Sequence, residues 1–270
     1  MAQMPDTHAA EIRSTAHAMA DAAAGAILPL FRRADLGIDN KLPGGFDPVT
    51  EADRAAEQAM RAVLAQRRPQ DAVLGEEFGR HAGTSGLTWV LDPIDGTRGF
   101  MAGTPTWGVL IALCDETGPR FGMIAQPYTG ERFSGGFGTT EFTGPQGGGG
   151  GRLRVRDRAL LSQAVLLSTF PEVGTEAEGA AFRRVAREVQ LVRYGLDCYG
   201  YALLAAGQVD LVIEAGLQSY DIAAPLAVIE AAGGIVTDWQ GGPAHEGGQV
   251  IACGSARLHE QALERLNATA

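Results

Sequence analysis

An apolar strand, Trp89-Val90-Leu91, runs straight into Asp92-Pro93-Ile94-Asp95-Gly96-Thr97, and this junction limits the chain more than any other feature. Pro93 fixes its own φ and holds the residue before it extended. The chain must then turn, present Asp95 and release at Gly96. Two carboxylates three residues apart therefore converge at one strand end, with the Ile94 carbonyl between them. Oxygen ligands of this kind suit a hard cation such as Mg²⁺. Gly96 and Thr97 could open a helical turn whose free N–H groups point at the same place, a geometry that cradles a phosphate. Asp-Pro and Asp-Gly are also ordinary turn sequences. By itself the segment reads equally well as two adjacent turns without chemistry.

The rest of the chain reads as a globular protein. Of 270 residues, 45% are apolar and 20% charged, too apolar for disorder and long enough for one large domain or two modest ones. No uncharged apolar run reaches the roughly 18 residues of a membrane span, so no membrane contact is expected. Asp6, Glu11 and Arg13 among the first alanines argue against a signal peptide. Cys114, Cys198 and Cys253 are odd in number and widely spaced, against a disulfide framework and in keeping with a reducing cytosol, so a cytoplasmic location is expected. Lys plus Arg is 22 and Asp plus Glu is 32, a net charge of −10 that would repel a nucleic acid. Lys41 is the only lysine, and the five histidines are scattered without metal-ligand spacing.

Apolar spacing predicts an amphipathic helix over 7–33, which Pro29 would kink or end, and a second from Thr50 as N-cap to about Arg68. Strands are expected at Val73–Leu74, Thr88–Leu91, Val109–Cys114, Phe121–Ala125 and Arg132–Ser134. Gly135–Gly151, with five consecutive glycines at 147–151, reads as a mobile surface loop. Beyond it strands (Val165–Ser168, Leu191–Arg193, Asp210–Glu214, Ile235–Thr237, Val250–Cys253) alternate with helices (Glu176–Val189, Cys198–Ala206, Ile222–Ala231, Ala256–Leu266). The first half suggests helices on an antiparallel sheet and the second an alternating α/β layer, dividing the chain into 1–140 and 141–270.

Two further segments carry acids at element ends. Leu74-Gly75-Glu76-Glu77 follows a strand, and Asp221 opens a helix in Tyr220-Asp221-Ile222-Ala223-Ala224-Pro225, which Gly233-Gly234 closes. A solvated turn and a helix cap account for each one singly. In combination, Gly75-Glu76-Glu77, the hexapeptide at 92–97 and the Asp221–Gly234 segment resemble the inositol monophosphatase superfamily. Asp47-Pro48-Val49-Thr50-Glu51-Ala52-Asp53, with Lys41 upstream, matches that family's N-terminal signature, and the resemblance runs from about residue 10 to residue 265.

The resemblance implies a layered αβαβα sandwich of the α+β and α/β kind, a homodimer with some sensitivity to Li⁺, and a Mg²⁺-dependent phosphomonoesterase. It places Glu76, Asp92 and the Ile94 carbonyl on one ion, and Asp92, Asp95 and Asp221 on a second. Asp53 would assist a third through water, so two or three Mg²⁺ ions are expected. Glu76 and Thr97 would orient the attacking water, with Asp53 in support, while Asp95, Gly96, Thr97 and Asp221 would face the substrate. Five carboxylates in one cleft would repel each other strongly, and bound cations would make the cluster tolerable. No nucleophilic side chain is needed for an in-line displacement, and no serine or cysteine sits in a nucleophile motif.

The substrate is read from a different stretch. Arg193-Tyr194-Gly195-Leu196-Asp197-Cys198-Tyr199 occupies the family's substrate-facing segment, and Glu214 stands seven residues before Asp221, as the family's substrate-contacting Glu does. Together with Glu214–Asp221 the pattern looks like the histidinol-phosphatase branch. Histidinol phosphate carries an ammonium and a protonatable imidazole. Asp197 and Glu214 could pair with them, and Tyr194 or Tyr199 could add an aromatic face. Asp197 as a helix N-cap, and the tyrosines as packing residues, are the plainer structural alternatives. Inositol 1-phosphate or a broad range of sugar phosphates is the rival substrate class. Some superfamily members act instead as partners of the transcription machinery, but the complete acidic set favours catalysis.

Overall fold

The computed structural model describes residues 6–33, 38–40, 48–145 and 148–268. Lys41 and Asp47 lie outside the described residues. The first elements are α1 (Asp6–Ile27), β1 (Ile38–Asn40), β2 (Pro48–Thr50), α2 (Glu51–Arg67), β3 (Ala72–Gly75), β4 (Gly79–His81), β5 (Thr88–Asp95) and α3 (Thr97–Ala102). Then come β6 (Gly108–Asp115), β7 (Gly118–Gln126), β8 (Glu131–Gly136), β9 (Thr139–Thr143) and β10 (Gly150–Gly151). The second part holds β11 (Val165–Ser168), α4 (Glu176–Ala186), β12 (Leu191–Tyr194), α5 (Cys198–Ala205) and β13 (Leu211–Leu217). It ends with α6 (Ser219–Ala231), β14 (Ile235–Thr237), β15 (Gly248–Cys253) and α7 (Ala256–Leu266).

Among the described residues these strands form a β1–β2 pair and two larger sheets, of eight strands in the order β10-β9-β8-β7-β6-β5-β3-β4 and of five in the order β12-β11-β13-β15-β14. The alternation of side chains along each strand assembles the layers. Trp89, Leu91, Val109, Ile111 and Leu113 pack with Ile12, Met19, Ile27, Ala56 and Met60 of α1 and α2. Their neighbours Val90, Leu110 and Ala112 face the other way, onto Tyr201, Leu204, Ile222 and Ile229 of α5 and α6. The same α5–α6 layer meets Leu167, Val212 and Ala252 of the second sheet. The far face of that sheet, through Leu166, Leu211, Ile213 and Ile251, is covered by Phe182 and Val185 of α4 and Leu258 and Ala262 of α7. The stack is therefore helix, sheet, helix, sheet, helix: the αβαβα sandwich.

Three local expectations change. The first helix ends at Ile27, two residues before Pro29. Gly135–Gly151 is not simply a loop, because β9 pairs with β8 and β10 with β9. Thr139, Thr140, Phe142 and Thr143 supply the branched and aromatic residues that suit a strand, and the glycines masked that signal. The change of sheet thus falls between Gly151 and Val165, beyond the 140/141 division drawn from the sequence. Finally, α6 starts at Ser219, so Asp221 stands in its first turn, at N3 of the capping box, rather than at the N-cap position.

Candidate active site

The junction after Leu91 contains a β-bulge. In the antiparallel pairing of β5 with β6, Asp92 lies opposite Leu110 and Asp95 opposite Gly108, so β5 carries one extra residue between them. Residues three apart in a regular strand point to opposite faces, and an inserted residue resets that alternation. Asp92 and Asp95 therefore converge. α6 delivers Asp221 to the same point, and one carboxylate oxygen from each of Asp92, Asp95 and Asp221 lies within 4.8 Å of the others. Asp221 Oδ2 accepts the Gln218 N–H at 2.7 Å, which fixes the side chain across the first turn of α6. An acid at this positive helix end is locally favourable.

Glu76, in the turn after β3, is the foremost charge acting on Asp92. Asp53 sits 1% exposed on α2, and its Oδ2 accepts the Thr50 N–H at 2.8 Å and the Thr50 hydroxyl at 2.5 Å. Thr97 links this acid to the strand end: its hydroxyl donates to the Ile94 carbonyl at 3.1 Å and lies 3.4 Å from Asp53 Oδ1. Gly96 adopts φ +89, and a Cβ there would stand 2.9 Å from Asp197 Cγ, so glycine serves both the turn and the close approach of that acid.

Asp197 and Glu214 line a cavity of about 220 Å³ together with Asp95, Asp221, Thr169, Phe170 and Tyr201. Asp197 holds a positive φ of 47° at the start of α5, and its side chain makes no capping hydrogen bond. The expected N-cap role is therefore absent. The turn instead aims the Cys198 N–H at Asp95 Oδ2, 2.5 Å away. Glu214 is 6% exposed. Its Oε1 accepts from the Thr169 N–H at 2.9 Å and also from the Thr169 hydroxyl, and its Oε2 accepts the Tyr201 hydroxyl at 2.8 Å. Thr169 and Tyr201 were not singled out in the sequence. Thr169 follows from Glu214 only once the parallel pairing of β11 with β13 sets the end of β11 beside it, and Tyr201 only once α5 packs against β13.

Tyr199 and Tyr194 do not furnish the cavity's aromatic face. Tyr199 donates to Glu131 at 2.9 Å, and Tyr194 packs against Phe182. Phe170 lines the cavity instead, with the Arg98 guanidinium 4.8 Å from its ring centre. No sequence signal marks Phe170 beyond its place just after a strand.

Burial pushes the Asp92 and Asp95 carboxyls well above the usual carboxylate range. Repulsion adds to this, from Glu76, Asp95 and Asp221 on Asp92, and from Asp197 and Asp221 on Asp95; the Cys198 N–H partly offsets it on Asp95. Asp53 is raised to about 6, mainly by burial, against its hydrogen bonds from Thr50. Asp197 is raised to about 7 by burial and by Glu214, with Arg98 acting in the opposite sense. Asp92 Oδ1 is buried with no hydrogen-bond donor. A buried acceptor without a donor, in a group of oxygen ligands that repel each other, fits a hard divalent cation. Among the described residues, those whose carboxylates converge closely enough to hold one are Asp92, Asp95 and Asp221.

These features define a class of metal-dependent phosphatase. A model of the inositol monophosphatase family matches residues 8–270, and the chain belongs to that family. The bifunctional phosphatase IMPL2 of Arabidopsis thaliana, described as chloroplastic, is 39% identical over 98% of this chain and 77% of its own length. The histidinol-phosphatase of Streptomyces coelicolor is 38% identical over 93% of this chain and 95% of its own. The solved structure of an inositol monophosphatase from Zymomonas mobilis superposes with a TM-score of 0.84 at 39% identity, over 98% of this chain and all of that one. The protein is accordingly a phosphoric monoester hydrolase of a metal-dependent family. Among the described residues no helix is long and apolar enough to cross a membrane.

Proposed function

We propose that the protein is a Mg²⁺-dependent histidinol-phosphatase, converting L-histidinol phosphate and water to L-histidinol and phosphate in histidine biosynthesis. The observation that carries the substrate is the acidic wall of the cavity. Asp197 and Glu214 repel each other there, and Asp197 is raised to about 7. A cationic head group would relieve that repulsion, and a neutral polyol would not. Glu214 spends both acceptor sites of Oε1 on Thr169 and one of Oε2 on Tyr201, which leaves one for a ligand. Phe170 supplies an aromatic surface for an imidazole.

Glu76, Asp92, the Ile94 carbonyl, Asp95 and Asp221 would hold two ions, with Asp53 supporting a third. When bound, Mg²⁺ neutralises the phosphoryl oxygens and acidifies water. Around it this chain's residues have separate tasks. Gly96 and Thr97 would orient the phosphate at the start of α3. Thr97, held between Asp53 and the Ile94 carbonyl, would accept a hydrogen of the attacking water, and Glu76 would fix its other side. The water oxygen bonds to phosphorus as the ester P–O bond breaks, and the proton the water gives up ends on the leaving oxygen. A homodimer and a cytoplasmic location belong to the same proposal.

Inositol 1-phosphate is the second reading, favoured by the likeness to the Zymomonas mobilis inositol monophosphatase at 39% identity. Side-by-side kcat/KM values decide between the two. Histidinol phosphate should be preferred by at least about tenfold, the equivalent of one charge-assisted contact. Equal values, or a preference for inositol, refute the assignment.

A further inference from the structure

A second buried acid stands behind the turn that carries Glu76. On α2, Glu57 lies one helical turn beyond Asp53, and the two are 0% and 1% exposed. Carboxylates are rarely buried so fully without partners. Glu57 Oε2 accepts the backbone N–H of Glu77 at 2.7 Å. Its Oε1 accepts the Phe78 N–H at 3.3 Å and the Arg61 Nε–H at 2.7 Å. Arg61 in turn donates from Nη2 to the Gly79 carbonyl at 2.5 Å. Carboxylate and guanidinium together therefore grip three successive residues between β3 and β4.

The other side of the turn is tied to β5. The Glu76 N–H donates to the Leu91 carbonyl at 3.2 Å, at the residue before Asp92. Gly75 makes the arrangement possible, since a Cβ there would stand 1.9 Å from Glu57 Oε1. Glu76 is thus held between two anchors, its own N–H on β5 and the next N–H on α2. Hydrogen bonds to an ionised carboxylate are the stronger kind, and a buried one does not exchange with water. A fold that needed only a turn here would have no use for a buried charge, which costs desolvation free energy that an apolar side chain avoids.

We propose that Glu57, with Arg61 as its counter-ion, is a positioning residue for Glu76: it fixes the Glu76 backbone and so sets that carboxylate against Asp92 in the divalent-cation site. The proposal rests on the reading of Glu76 as a cation ligand and is independent of the substrate assignment. It is tested on the full-length protein with Mg²⁺ alone, by calorimetric titration, together with amide exchange and steady-state kinetics. Three variants are compared: Glu76→Gln, Glu57→Gln and Leu64→Ala, the last removing a buried side chain from the same helix.

Glu57→Gln should weaken Mg²⁺ binding about tenfold, as loss of a ligand's supporting group does. It should speed exchange of the Glu77 and Phe78 amides without affecting those of β6 and β7. It should also lower kcat with little change in KM. Leu64→Ala should lower stability and leave Mg²⁺ affinity unchanged. If Glu76→Gln weakens binding and Glu57→Gln does not, the positioning role is refuted. The same holds if Leu64→Ala weakens binding as much as Glu57→Gln. If Glu76→Gln itself leaves binding unchanged, the ligand reading of Glu76 fails, and the proposal falls with it. Should Glu57→Gln not fold, Arg61→Gln, whose side chain is 21% exposed, serves in its place. A smaller loss of affinity in the same direction supports the proposal, and no loss overturns it.

Discussion

The two walls of the site are built differently. On one, Asp92, the Ile94 carbonyl, Asp95 and Thr97 come from a single short stretch, and one bulge in β5 turns both acids the same way. On the other, Asp197 comes from the start of α5 and Glu214 from β13, and Glu214 is held by Thr169 at the end of β11 and Tyr201 within α5. The first wall is local backbone geometry. The second exists only when a sheet and a helix layer meet. Chemistry common to a family can be carried by the first. Substrate choice can vary on the second, because Thr169 and Tyr201 hold Glu214 and lie on elements other than the strand end.

The contrast makes unequal predictions. Asp92→Asn strikes the local wall and should reduce kcat on every phosphate ester alike. The loss should exceed the roughly 10–100-fold that follows removal of a ligand's outer partner. A loss confined to one substrate would contradict the division. Asp197→Ala strikes the other wall and should raise KM for histidinol phosphate about tenfold while barely moving KM for inositol 1-phosphate. Equal changes for both would reduce Asp197 to a structural residue. Tyr201→Phe removes the donor to Glu214 Oε2 and should act on the same substrate in the same sense, about fivefold, since a single hydrogen bond is worth about 1 kcal/mol net.

The acid cluster also predicts a pH dependence. Asp53 at about 6 and Asp197 at about 7 lie above the ordinary carboxylate value of 3.8. Through that window the folded, metal-free protein keeps protons that the unfolded chain has released. Its stability should therefore fall as pH rises from about 4 to about 7. Mg²⁺ binds the deprotonated groups, so its stabilising effect should grow over the same range. Thermal melts at pH 5 and pH 8, with and without Mg²⁺, check this; a metal-free protein more stable at pH 8 would refute it. The smallest effect concerns the helix under the site. Thr50→Ala deletes one half of the capping box of α2 and should cost about 1 kcal/mol in denaturant unfolding, mostly as stability.

Much of the molecule was legible in the residue order. Pro93 between two acids announced the strand end, Thr50 announced the start of α2, and apolar spacing marked most helices and strands. These signals are short-range, set by φ restriction, capping and side-chain alternation. Strand β9 was hidden because glycine on both sides outweighs four or five strand-forming residues. For Tyr194 and Tyr199 an aromatic face and a packing role both stayed open, because a sequence shows that an aromatic is present and not which layer covers it. Phe170 was passed over for the same reason. Asp53 and Glu57, one turn apart beside Ala56 and Met60, did carry a signal, since acids on the buried face of a helix need partners.

The sequence by itself determined that Asp92 and Asp95 stand together at the end of one strand, because Pro93 and Gly96 constrain the backbone beside them. Tertiary structure alone decided how Glu76 and Glu214 are held. Glu57 takes the backbone N–H groups of Glu77 and Phe78 beside Glu76, and Thr169 and Tyr201 donate to Glu214; sheet pairing and helix packing bring these groups together. Buried carboxylates must find their donors wherever the fold supplies them.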